Sequence, residues 1–265
     1  MRRADGTASR ADIEPERDIA ARMAEAYDAA SRGDYPAALA IWGPLAQAGV
    51  GRAQNNVGAC FAEGLGLERD PALAHRWLTL AAEAGDPVGQ RNLAALYFKG
   101  EGIEQDHVRA AELYRAAAEA GDGPAQDMLS WMLLEGETIP LDALEARRWA
   151  LAAAEQGVAP AMTRLGMIYH NALGVDRDPT AAAAWWTKAA VRGDADGQAM
   201  LGAARLLGTG VPGDGVAALV WLLRASAGGS ALAARFLTNA RGALTADEIA
   251  EAERRAATPL PESAP

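Results

Sequence analysis

The sequence predicts an all-α fold, a right-handed α-solenoid of about seven helical hairpins, and three observations carry that expectation. A closing glycine recurs at Gly85, Gly121, Gly157, Gly193 and Gly229, always 36 residues apart. An aspartate keeps the same step at Asp70, Asp106, Asp142, Asp178 and Asp214, with an alanine after it at Ala74, Ala110, Ala146, Ala182 and Ala218. A large apolar residue then stands at Trp77, Leu113, Trp149, Trp185 and Trp221. Self-similarity at such a period marks a stacked array, because one hairpin cannot bury its apolar face alone and must lay it against a neighbour.

Along the chain, residues 1–16 are polar, lack a helical period and are expected to be disordered. Residues 17–256 read as one array, with units at 17–49, 50–85, 86–121, 122–157, 158–193 and 194–229 and a degenerate cap at 230–256. The second half of the first unit holds the register through Asp34, Ala38 and Gly49, while its first half runs two residues short. A proline-rich tail, 257–265, is expected to be flexible.

Each full unit reads as two helices. In 86–121 the first helix carries Leu93, Leu96 and Tyr97 at three-and-four spacing, and the second carries Ala110, Leu113 and Ala117 on one stripe. The small residues let neighbouring helices approach, and the bulky one fills the space between layers.

The punctuation has a mechanism. Gly64, Gly100, Gly136 and Gly208 fall just past the first helix, where a left-handed residue closes the last carbonyls. In 158–193 Ala172 takes that place, and in 122–157 Thr138 replaces the second loop glycine. The recurring aspartates fall just before the second helix, where a carboxylate accepts orphan N–H groups and faces the positive end of the dipole. Five aspartates at one helix start read as caps, not as five catalytic acids. Pro71 and Pro179 then occupy the first helical position. Asp142 with Glu145, and Thr245 with Glu248, fit capping boxes.

Composition narrows the function. Half of the 265 residues are hydrophobic, ample for a continuous core. The formal net charge of −10 disfavours nucleic acid and anionic membrane surfaces as partners, and a protein or peptide is expected instead. Cys60 is the lone cysteine, so no intramolecular disulfide and no thiolate zinc cluster can form. No apolar run reaches the ~18–20 residues of a membrane span, and the start shows no leader-like apolar core. A cytoplasmic protein with no cofactor and no metal is the expectation.

Chemistry-bearing motifs are sparse. The glycine pairs Gly64/Gly66, Gly100/Gly102 and Gly208/Gly210 follow helices, so they read as turns and not as phosphate cradles. His75, His107 and His170 are scattered, without the spacing of a zinc helix motif. Cys60 reads as a packing residue.

The segments LAALYFKGEGIEQDHVRAAELYRAAAEAG and RLGMIYHNALGVDRDPTAAAAWWTKAAVRG resemble the Sel1-like repeat, a 36-residue relative of the tetratricopeptide repeat. The resemblance covers 50–229 and implies scaffolds and adaptors that hold partner proteins, often in bacterial signalling or envelope-related regulation. Some members behave like penicillin-binding proteins, yet no S-x-x-K or G-x-S-x-G serine motif occurs here. Arg205 departs from the aromatic that Phe61, Tyr97 and Tyr169 supply.

By the register of the related repeat, the first helices line a concave groove, with the positions off the packing stripe facing inward. Trp131, Phe98, Leu134, Met167 and His170 then form an apolar strip, with Arg52, Asn55, Arg91, Lys99, Asp127 and Asn171 as polar contacts. Trp131 is the only tryptophan in a first helix; it either anchors a partner or plugs a gap in its own unit, and the anchor reading is the one taken. The function expected is a non-catalytic interaction scaffold. A hydrolase or regulatory subunit acting on cell-wall material is the alternative, and an assembly piece that oligomerises through its ends is a third.

Overall fold

The computed structural model describes residues 10–260, with side chains from residue 17 onward. Among the described residues are fourteen helices and no strand. Hairpins are formed by α1 (Arg10–Ser31) with α2 (Tyr35–Gln47), α3 (Gly51–Glu63) with α4 (Pro71–Glu83), and α5 (Pro87–Lys99) with α6 (His107–Glu119). Further along, α7 (Gly123–Glu135) pairs with α8 (Ala143–Glu155), α9 (Ala159–Asn171) with α10 (Pro179–Val191), and α11 (Ala195–Leu207) with α12 (Gly215–Ala227). Two shorter helices, α13 (Ala234–Gly242) and α14 (Ala246–Ala257), both pack on α12.

The repeat pattern runs through Asp122 without a break, yet the chain divides there into two compact units, Met1–Asp122 and Gly123–Pro265. Within the first, α2 packs on α3 and α4 on α5, and α3 also lies against α5. Within the second, α8 packs on α9 and α10 on α11, while α7, α9 and α11 lie side by side. Each unit is therefore a row of hairpins whose first helices form one layer. Helix α1 is described from Arg10, so it takes in part of the stretch expected to be disordered; the rest of that stretch, and 261–265 of the tail, lie outside the described residues.

The helices start where a side-chain acceptor is available. Asp106, Asp142, Asp178 and Asp214 each accept the backbone N–H three residues on at 2.9 Å, and Asp70 accepts two at 3.0 Å. Thr245 and Glu248 close the capping box that opens α14. The bonds from Thr245 hold the Glu248 carboxyl below its usual range. Gly64, Gly100, Gly136 and Gly208 are left-handed at φ 73, 71, 66 and 65. Ala172 keeps the same turn at φ 58 although it carries a Cβ.

The core follows the 36-residue step. Ala74, Ala110, Ala146, Ala182 and Ala218 are all fully buried, which brings helix backbones close. A second rule pairs small with large twenty residues apart. A Cβ on Gly58 or on Gly202 would stand 2.8 Å from Cγ of Leu78 or Leu222 respectively. On Gly166 it would run into the indole of Trp186, which donates to the carbonyl of Thr163 at 3.3 Å. The repeat 122–157 has Ser130 in the glycine place and Ala150 in the bulky one, so a larger residue on the first helix goes with a smaller one on the second. Cys60 belongs to the first unit's core, and burial pushes its thiol up to about 11.

Two substitutions test this geometry in opposite directions. Ala172→Gly relieves a left-handed alanine and is expected to stabilise the chain by about 1 kcal/mol. Gly166→Ala forces the Trp186 indole out of its slot and is expected to cost about 2 kcal/mol. Urea midpoints measured at constant m-value read both.

Candidate functional site

The first helices carry two kinds of side chain off the core. One kind ties one stretch of the repeat array to another within each compact unit. Arg52 Nε donates to Asp86 at 2.7 Å, and Arg91 holds both oxygens of Asp122 at 3.1 and 2.9 Å. Thr163 Oγ1 donates to Asp194 at 2.6 Å across the same 31 residues as the Arg91 pair, and Ser230 Oγ donates to Asp196 at 2.5 Å across the 34 of the Arg52 pair. A third rung spans 37 residues: Asn92 donates to Asn55 at 2.8 Å, and Arg164 donates to Asp127 at 3.1 Å. Arg52, Asn55, Arg91 and Asp127, expected to face a partner, are thus engaged in registering hairpins.

Two more residues expected on the groove turn toward the second helices. Phe98 stacks on His107, ring centroids 4.9 Å apart and nearly parallel. His170 packs on Trp186 at 5.4 Å. His75 meets Tyr97 edge-on, with Nε2 3.3 Å from the phenol oxygen, and burial pushes its imidazole below the usual range.

The second kind of side chain lines clefts between adjacent first helices. In the first unit a cleft of about 200 Å³ opens between α3 and α5, bordered by Ala59, Glu63, Ala95, Lys99 and Glu101. In the second unit a larger one, about 440 Å³, opens between α7 and α9 and reaches the start of α11. Trp131, Leu134 and Met167 form its apolar wall together with Met200 and Leu232, and Asn171 stands at its edge. The two clefts occupy the same register: Trp131 and Met167 stand two repeats after Ala59 and Ala95. Lys99, Trp131, Leu134, Met167 and Asn171 are therefore the predicted residues that the structure places at clefts.

The larger cleft is charged as well as apolar. Glu135, Asp194 and Asp196 line it with carboxylates, and Arg164 is the cation among its lining residues. Arg164 is bound to Asp127, which is only 7% exposed. Burial pushes the Asp127 carboxyl above its ordinary range; Arg164 pulls it back, and Asp194 adds repulsion. Sequence reasoning missed Arg164, Asp194, Asp196, Met200 and Leu232. The 37-residue step from Asn55 to Asn92 repeats from Asp127 to Arg164, a pairing that only the stacked hairpins reveal.

Among the described residues, no group of three or more His, Cys, Asp or Glu side chains is arranged to hold a metal ion. No helix among them is long and apolar enough to cross a membrane.

Comparison with known proteins agrees with this architecture. The Sel1 repeat model matches residues 51–86, 87–122, 123–158, 159–194 and 195–230. The structure is similar to that of a Sel1 repeat protein from Oxalobacter formigenes, with 28% identity, 92% of this chain and 99% of that one covered, and a TM-score of 0.79. It is also similar to a protective antigen of uropathogenic Escherichia coli strains displaying an SLR fold, with 23% identity, 90% and 68% covered, and a TM-score of 0.47. The immunity protein Pa5087 from Pseudomonas aeruginosa matches at 23% identity over 78% of each chain, with a TM-score of 0.47. No curated protein matches the chain.

The Arg164–Asp127 pair gives a measurable consequence. Arg164→Ala leaves a buried carboxylate without its cation and is expected to cost about 3 kcal/mol near neutral pH. Because the native carboxyl titrates above its unfolded value, protonation favours the fold and the ion disfavours it as pH rises through the native titration. The loss in the variant is therefore expected to shrink in acid, as urea melts at pH 4 and pH 7 would show.

Proposed function

The chain belongs to the Sel1 repeat family, and from that premise we propose that it is a non-catalytic scaffold holding a peptide segment of a protein partner in the cleft between α7 and α9. Sel1 repeat proteins generally mediate protein–protein interaction. The observation that carries the reading is the apolar wall of Trp131, Leu134 and Met167 in a cleft of about 440 Å³. Positions next to these two bulky residues already serve the core: Met132 and Ile168 are fully buried, as Leu96 and Cys60 nearly are in the first unit. Trp131 and Met167 are half-buried beside them and border the open cleft. A large aromatic ring at the base of a cleft is where binding energy concentrates.

Adaptor work in bacterial signalling or envelope-related regulation is the setting we propose for it. A reducing, cytoplasmic compartment belongs to the same reading, since the single thiol, Cys60, is buried and free.

The test uses the full chain and dodecapeptides selected on it from a random displayed library. Trp131→Ala is expected to weaken the selected peptides by at least tenfold, about 1.4 kcal/mol, while circular dichroism shows the helices retained. Unchanged affinity of every selected peptide for this folded variant would sink the reading.

A further inference from the structure

Charge narrows the occupant of the α7–α9 cleft. Three carboxylates line it, from Glu135, Asp194 and Asp196, while its one lining cation, Arg164, is committed to buried Asp127. The bonds that hold two of the carboxylates come from neutral donors. Asp194 accepts the Thr163 hydroxyl and the Gly197 amide, both at 2.6 Å, and Asp196 accepts the Ser230 hydroxyl. Neutral donors fix the direction of an anion without cancelling its charge. The cleft thus presents oriented negative charge beside an apolar wall, and a cleft with an excess of one sign focuses the field on whatever enters.

The first unit's cleft is less unbalanced. There two carboxylates, Glu63 and Glu101, share the lining with Lys99, whose Nζ is 3.9 Å from Glu101, and alanines replace the bulky wall.

We propose, on the reading of this cleft as the binding site, that its occupant is a basic amphipathic peptide segment, a lysine or arginine beside a bulky apolar side chain. The apolar side chain lies against Trp131 and Met167, and the cation reaches Glu135, Asp194 and Asp196. An acidic segment would bring like charges together, and an uncharged one would cover carboxylates without compensation. A second copy of this chain, with its net charge of −10, is a poor electrostatic match as well.

The experiment sequences the selected dodecapeptides and measures their affinity for the wild type, the double variant Glu135→Gln/Asp196→Asn, and Trp131→Ala. Asp194 is left intact because it caps α11. The expected peptides carry Lys or Arg next to Leu, Ile, Phe, Met or Trp. They lose at least tenfold on the double variant, and they weaken several-fold when salt rises from about 50 to about 300 mM. Selected peptides without basic residues, or wild-type affinity on the double variant, overturn the proposal. If only Trp131→Ala weakens them, the cleft remains the site and the basic occupant falls; if neither variant does, both readings fall. An empty selection overturns it, and so does a sedimenting dimer that Trp131→Ala abolishes, which would give the cleft to a second copy.

Discussion

A hairpin of two thirteen-residue helices leaves one face of each helix bare until another hairpin is laid against it, and that close approach is what the rest of the molecule depends on. The approach is set by alanine: Ala74, Ala110, Ala146, Ala182 and Ala218 are fully buried at the same place in successive hairpins. Once backbones are that near, side-chain volume is no longer a free choice. Trp186 fits only because residue 166 is glycine, and Ser130 is tolerated where the residue twenty positions on is Ala150. The bulk allowed on one helix is therefore limited by the residue facing it on the other, as close packing requires.

Packing alone does not fix how far one hairpin is rotated on the next, and the polar rungs supply that restriction. The aspartates at 86 and 194 do two things at once. Each caps its own helix through the amide three residues on, and each takes a bond from the preceding hairpin, from Arg52 and from Thr163. A side chain that satisfies its own helix start and grips a neighbour couples local to tertiary structure. It also explains why ionisable residues on the first helices are mostly engaged, which leaves the trough between those helices as the place where side chains differ most from repeat to repeat.

What was legible in the sequence was whatever chemistry is local. The caps at Asp70 through Asp214 could be read because an N-cap needs an acceptor beside its own backbone. The helix faces could be read because 3.6-residue periodicity puts Trp131 and Leu134 on one side of their helix, and the 36-residue step puts Met167 in the register of Trp131 on another. Partnerships between hairpins were harder. Arg52 and Arg91 resemble solvent-facing cations until the stacking brings in Asp86 and Asp122 from over thirty residues away. Asp196 has no acidic forerunner at its position, since Arg52, Val88, Pro124 and Pro160 precede it in register, and Leu232 lies beyond the last regular unit. Phe98 and His170 share a register place with Leu134, yet they turn toward His107 and Trp186. An aromatic at that place follows whichever ring the second helix offers, and periodicity carries no information about that choice. The contact boundary at Asp122 has no counterpart in the repeat pattern, which continues through it.

A repeat scaffold separates the residues that make it stand from those that can vary. In the first unit the variable places hold Ala59 and Ala95, which fit any close-packed pair of helices. In the second they hold Trp131 and Met167, which no packing rule of the repeat demands, since the adjoining core places are filled by Met132 and Ile168. Large side chains kept half in water forgo part of the burial that would repay them. The same unit keeps the carboxylates of Glu135, Asp194 and Asp196 beside that apolar wall, and the one cation lining the cleft, Arg164, is held by buried Asp127. Apolar bulk without full burial, and charge without a free counter-charge, are two separate features that one kind of occupant would match. That coincidence in one cleft, absent from its counterpart two repeats earlier, is why recognition is assigned to the second unit and to a cationic, apolar chain.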